Sequence, residues 1–179
     1  MTQPVEISFR PAMKSDCRMI VRLYTISLEG VSDHIGLQMA GPGEDILNVG
    51  QRRYEKEDSA FSYKKCTVAV AGDRVIGMLV AFPMYTDNEE TEEAVDPVLA
   101  PYSRLEENDN FYICNVSVFP ESRRRGSGHR FLKIAEQQAG EQGFKKLRLI
   151  VVEQNTGALK LYKSHGYQEV AVKQSFRTR

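Results

Sequence analysis

Apolar and polar positions alternate along residues 111–118, Phe-Tyr-Ile-Cys-Asn-Val-Ser-Val, the period of a strand with one covered face. Pro120 closes that run. Residues 128–142 then place Phe131, Leu132, Ala135 and Ala139 on one helical stripe that ends at Gly143. Upstream, residues 5–9 read as a short strand stopped by Pro11. Ser15 or Asp16 is placed to cap a helix in which Cys17, Ile20, Tyr24 and Ser27 or Leu28 share a face, with Gly30 at its end. Residues 32–45, with Gly41-Pro42-Gly43, read as a loop, and residues 44–56 as a helix that is polar on most sides. Residues 66–71 and 75–82 are β-like runs joined by Gly72-Asp73, a two-residue hairpin signal. Residues 86–96 are acidic and turn-rich, and residues 98–107 have room for one or two helical turns. The nearly continuous apolar run 147–152 predicts a buried central strand. A short helix over 156–165, stopped by Gly166, and a last strand over 167–172 complete the pattern. This order predicts an α/β (α+β) fold, a mixed sheet with helices on both faces, in a single domain spanning residues 1–179.

Composition narrows the setting. Lys+Arg and Asp+Glu both number 24, so the formal net charge is zero, which disfavours a globally basic nucleic-acid binder. Cys17, Cys66 and Cys114 are far apart and form no CxxC pair or metal-ligand spacing, so each is expected to be a small buried apolar residue. His34, His129 and His165 are scattered, and no metal site is expected. No apolar run approaches a membrane span, and the first residues carry no signal-peptide core, so a reducing, cytoplasmic setting is expected.

Chemistry concentrates at Arg123-Arg124-Arg125-Gly126-Ser127-Gly128, a cationic, glycine-bearing loop between a strand and the first turn of a helix. There the backbone N–H groups have no helical partner and the helix dipole is positive, which suits a phosphate group. A nucleotide P-loop needs G-x-x-x-x-G-K-[ST], a spacing this loop lacks. A dinucleotide fingerprint needs a third glycine, where Phe131 stands, and an acid some twenty residues on, where Lys145 and Lys146 stand. Taken whole, Pro120-x-x-Arg123-x-x-Gly126-x-Gly128-x-x-x-Leu132 resembles the acyl-coenzyme A pyrophosphate loop of the GNAT superfamily of N-acetyltransferases. Downstream, Asn155-x-x-Ala158-x-x-Leu161-Tyr162-x-x-x-Gly166-Tyr167 resembles a second block of the same superfamily, and Ile7 to Ala12 looks like its usual first strand. The close resemblance runs over residues 111–170.

The resemblance implies a mostly antiparallel sheet, splayed at the cofactor site, that binds acetyl-CoA. Arg123, Arg124, Arg125, Gly126, Ser127, Gly128 and His129 would hold the pyrophosphate. The strand ending Val116-Ser117-Val118 would pair its edge with the pantetheine amides. Tyr162 would be the general acid for the departing thiolate, with a core tyrosine as the alternative. Asn155 either caps the last helix or binds the pantetheine arm, and the two are compatible. The general base is open: Glu153, Tyr112, Glu106 and Glu107 are candidates, and Glu153 could equally face solvent. The acidic residues between 87 and 96 either attract a cationic amine or form a solvated loop. In similar proteins the region of Gly41-Pro42-Gly43 and Arg52-Arg53-Tyr54 lines the acceptor pocket.

Departures from the family pattern are Ser127, where an aliphatic residue is usual, and Arg124, where glycine is common. After Val172 a basic, polar tail remains where many similar enzymes carry another strand. That strand is either short or absent, or a partner chain supplies it, which admits a homodimer. The expected function is direct acetyl transfer from acetyl-CoA to the primary amine of a small molecule or peptide, with no nucleic-acid or membrane partner. The alternatives are a non-catalytic acyl-CoA-binding or regulatory module and, more weakly, a nucleic-acid binder using Arg123 to Arg125 with Lys145, Lys146 and Arg148.

Overall fold

The computed structural model describes residues 5–27, 39–59, 61–85 and 108–172. Five strands form one sheet in the order of the chain: β1 (Ile7–Pro11), β2 (Cys66–Ala71), β3 (Arg74–Met84), β4 (Asn110–Val118) and β5 (Leu147–Leu149). The first four pair antiparallel, and β5 joins β4 in parallel. The described helices are α1 (Cys17–Thr25), α2 (Ile46–Tyr54), α3 (Ser127–Glu141) and α4 (Thr156–Ser164). This is the mixed, mostly antiparallel sheet that the sequence predicts.

Strand alternation sorts two cores onto the two faces. Val68, Val70, Met78 and Val80 pack with Cys17, Ile20, Leu23 and Tyr54 of α1 and α2. Ala69, Ile76, Leu79, Ala81, Phe111 and Ile113 pack with Phe131, Leu132, Ala135 and Ala139, the stripe anticipated for α3. The β2–β3 turn is the expected hairpin, with Gly72 at φ +61°. Asp16 anchors the start of α1 in an unforeseen way. Its buried carboxylate accepts from Arg10 at 2.7 and 3.1 Å and from the Met13 amide at 2.8 Å. Burial opposes its ionisation, but the Arg10 hydrogen bonds, the Met13 amide and the Arg10 charge together hold the carboxyl below its usual range.

Two of four expectations change. Pro11 is the last residue of β1, so the strand ends there as expected; β1 is an edge strand, where the missing N–H costs no ladder bond. The run 147–152 is not a central strand: β5 is three residues long, at the opposite edge, and half-buried. Residues 167–172 form no strand among the described residues, and residues 168–172 are exposed. The cysteines converge on one core, Cys17 and Cys66 buried and Cys114 partly so, and none is in a disulfide. Burial pushes the Cys17 thiol up to about 11. The readings of residues 28–38, 86–107 and 173–179, including His34, Glu106, Glu107, the whole acidic stretch and the tail, lie outside the described residues.

Gly77 sits where β3, β4 and α3 meet. A Cβ there would lie 2.9 Å from the Ser117 carbonyl oxygen and 3.2 Å from Cε2 of Phe131. Gly77→Ala should therefore destabilise the fold by about 1–3 kcal/mol, read from urea unfolding midpoints, because a backbone oxygen must move to admit the methyl group.

Candidate functional site

β4 and β5 pair only at Phe111, Tyr112 and Ile113, against Leu147, Arg148 and Leu149. From Asn115 to Val118 β4 keeps its β3 partner but has no strand on its other side among the described residues. The parting coincides with a bulge. Asn115 pairs with Val80 and Ile113 with Ala81, so Cys114 is the extra residue of β4. The bulge turns Asn115 toward α1, where its amide donates to the Ser27 hydroxyl. Ser117 is buried, and its Oγ has no partner among the described residues. An open strand edge of this kind can hydrogen-bond an extended ligand through backbone groups alone.

Beyond Val118 the chain makes a 3₁₀ turn, Pro120–Ser122, and then the arginine loop. Gly126 takes φ +82° as the residue before α3, and a Cβ there would meet nothing within 4 Å. No amide from residue 124 to 129 donates to a described protein group, and α3 has no side-chain cap. An uncapped fifteen-residue helix with open space over its first glycine suits an anion. The three arginines divide their work. Arg123 Nε donates to the Val118 carbonyl at 3.0 Å, and Arg125 reaches the Val5 carbonyl at 2.7 Å. Both thus brace the loop against the sheet. Arg124 is exposed and held at φ +60°, a left-handed conformation that costs a non-glycine residue about 1 kcal/mol. The family's frequent glycine at this position has the same backbone explanation.

Gly128 has a different task. A Cβ there would lie 2.9 Å from Cδ2 of Leu161, so the glycine lets the start of α3 approach α4. That contact places the loop beside the helix of Tyr162. The Tyr162 ring packs on the α3 core, 5.8 Å from that of Tyr167. Burial pushes its phenol up to about 12, and the neighbouring Tyr167 hydroxyl is buried without a partner among the described residues. Tyr162 is therefore a protonated donor at neutral pH. Asn155 caps α4, its Oδ1 accepting from the Ala158 amide at 3.1 Å, which leaves its NH₂ group available.

Other candidates lie apart. Glu153 is exposed in the turn between β5 and α4. Tyr112 packs edge-on against Phe82 at 5.8 Å. Tyr54 is buried with Tyr24 and Phe61, and the Arg53 guanidinium lies 3.8 Å over Phe61. Sequence reasoning missed the bulge at Cys114, the two bracing arginines and a contact between His129 and His165. The bulge, the Arg125 brace and the histidine contact depend on partners distant in sequence, and the Arg123 bond on a loop conformation that its residue type does not specify. Among the described residues, no group of His, Cys, Asp and Glu is placed to hold a metal ion, and no helix is long and apolar enough to cross a membrane.

Comparison with known proteins agrees with this geometry. The acetyltransferase (GNAT) family matches residues 41–167. The chain is similar to an uncharacterized N-acetyltransferase, YhfO, of Bacillus subtilis, 41% identical over 59 residues, which are 32% of this chain and 40% of that protein. It is also similar to a thialysine N-epsilon-acetyltransferase of Bos taurus, 36% identical over 61 residues, covering 34% of this chain and 36% of that protein. Both matches thus span well under half of the relative's length. Among solved structures, an aminoglycoside N-acetyltransferase, AAC(6')-Iy, in complex with CoA shares the fold at a TM-score of 0.63, with 13% identity over 100% of this chain and 99% of that one.

Ser127 is 4% exposed and its Oγ has no partner, although its amide belongs to the helix start. The position faces inward, which accounts for the aliphatic residue usual there. Ser127→Ala should raise stability by about 1 kcal/mol in chemical denaturation, since an unpaired buried hydroxyl costs roughly that much. A loss of similar size would show that the hydroxyl is bonded.

Proposed function

The chain belongs to the GNAT acetyltransferase family, and from that premise we propose that it transfers an acetyl group from acetyl-CoA to a primary alkyl amine by direct attack in a ternary complex. The observation that carries this reading is the pairing of an uncapped, glycine-led start of α3 with the open edge of β4. The amides of residues 124–129 would take the pyrophosphate, with Arg124 and His129 as the uncapped loop's exposed cationic and imidazole side chains. Val116, Ser117 and Val118 would offer backbone groups to the pantetheine arm, joined by the NH₂ of Asn155. Bound there, acetyl-CoA supplies an activated thioester.

The rest falls to the chain's own groups. Tyr162 donates its proton to the departing sulfur, a role that suits a phenol held protonated by burial. Glu153, exposed in the turn before α4, takes the proton of the incoming ammonium through water. An unchanged kcat/KM in Glu153→Gln would assign that proton to solvent. The acceptor class follows the chemistry named for the relatives, amino groups of a thialysine and of aminoglycosides. Titration calorimetry with acetyl-CoA, followed by mass-spectrometric screening of primary amines, tests the whole. Absence of CoA binding ends the reading, and tight binding without any transfer would favour a non-catalytic acyl-CoA module.

Tyr162→Phe should lower kcat by about a hundredfold or more while leaving CoA affinity within about twofold, because one general acid contributes 10²–10⁴. The acid form persists below the raised phenol value of about 12 and is lost above it. Wild-type turnover should therefore show no fall from Tyr162 ionisation between pH 7 and pH 10 in a pH–rate profile.

A further inference from the structure

His129 and His165 lie far apart in sequence, yet Nδ1 of His129 and Nε2 of His165 are 2.8 Å apart. Their ring centroids are separated by 5.0 Å. The other nitrogen of His165, Nδ1, is 3.5 Å from Oε1 of Glu136. His129 and Glu136 both belong to α3, and His165 directly follows α4, one turn beyond Tyr162. The groups form a chain and not a cluster. Carboxylate and imidazole approach opposite nitrogens of His165, so no point lies within ligand reach of all three, and a metal centre does not fit.

Charge sets the order within the chain. The Glu136 carboxylate, 3.5 Å from Nδ1 of His165, favours hydrogen over a lone pair on that nitrogen. With hydrogen on Nδ1 of His165, its Nε2 accepts and Nδ1 of His129 donates across the 2.8 Å contact. That leaves Nε2 of His129 as the uncommitted nitrogen, on an exposed ring in the first turn of α3. In the neutral chain this nitrogen offers a lone pair, which repels a phosphate oxygen. Protonated, it becomes a charge-assisted donor whose positive charge Glu136 supports through His165.

Other charges set when that proton arrives. Along α3, Lys133 and Glu136 follow His129 on the same face, with Arg130 beside it. Tyr162 and Tyr167 flank His165, and burial holds both phenols protonated. Glu136 is the one of these groups within ion-pair distance of either imidazole.

We infer that Glu136 and His165 are positioning residues that hold His129 as its Nδ1–H tautomer and support a proton on its Nε2 when a phosphate group docks at the start of α3, so that anion binding at the loop takes up a proton from solvent. This rests on the CoA reading above. Two measurements on the full chain separate them. In the free protein, long-range ¹⁵N–¹H correlation spectra should show His129 in the Nδ1–H form, lost in His165→Ala. Calorimetry of CoA binding in buffers of different ionisation enthalpy should show proton uptake, with affinity tightening as pH falls by at most about tenfold per unit. His165→Ala and Glu136→Ala should flatten that dependence and weaken CoA binding by about three- to tenfold at pH 6.5. An Nε2–H tautomer in the free wild-type protein, or unchanged proton uptake in both variants, overturns the inference. If wild-type protein binds no CoA, the functional reading fails instead, and inorganic pyrophosphate serves as the anion for the same comparison.

Discussion

β5 leaves β4 after Ile113, and the site depends on that parting. A parallel strand continued along β4 would consume the backbone groups of Asn115 to Val118 and close the gap that a ligand needs. The bulge at Cys114 helps to set the break, because an extra residue re-aims the strand just where its partner departs. On the other side β4 stays locked to β3 as far as Val118, so its free edge is presented by a rigid element. Gly77 lets Phe131 and the β4 backbone come together at that level. The floor of the site is therefore part of the core.

From this edge the chain reaches the helix start in few residues, and the electrostatics follow from the geometry. A helix without a capping side chain directs its unpaired amides to the space beside Gly126. Arg123 and Arg125 hold that space open by bonding to carbonyls of Val118 and Val5. A chain of zero net charge thus makes a locally cationic pocket from backbone dipoles and a few arginines. Leu161 against Gly128 brings α4 alongside, so the uncapped start of α3 and the Tyr162 phenol share one short contact between helices. The His129–His165–Glu136 chain crosses that same junction.

Much of the architecture was legible in the sequence for local reasons. Gly72 at positive φ makes a turn that its own dipeptide announces, and the α3 stripe of Phe131, Leu132, Ala135 and Ala139 is a periodicity that needs no partner to be read. The loop and the Asn155–Tyr162 block were legible because cap, glycine and phenol act within one turn of chain. Errors arose where the answer depended on hydrogen-bonding partners. Leu147 to Val152 carries the side chains of a buried strand, but burial there comes from helix packing and not from strands on both sides. Residues 167–172 have β-forming residues without a ladder among the described residues.

By itself, the sequence determined which segments are strands and helices over most of the described chain, which glycine-bearing loop opens α3, and which phenol stands on the neighbouring helix. These are properties of spacing and backbone freedom, and both are local. Only the tertiary structure decided that β5 stops short, that two of three arginines are braces, and that His129 meets His165. Except for the Arg123 bond to Val118, each rests on segments remote in sequence, brought together as the two cores pack on opposite faces of one sheet.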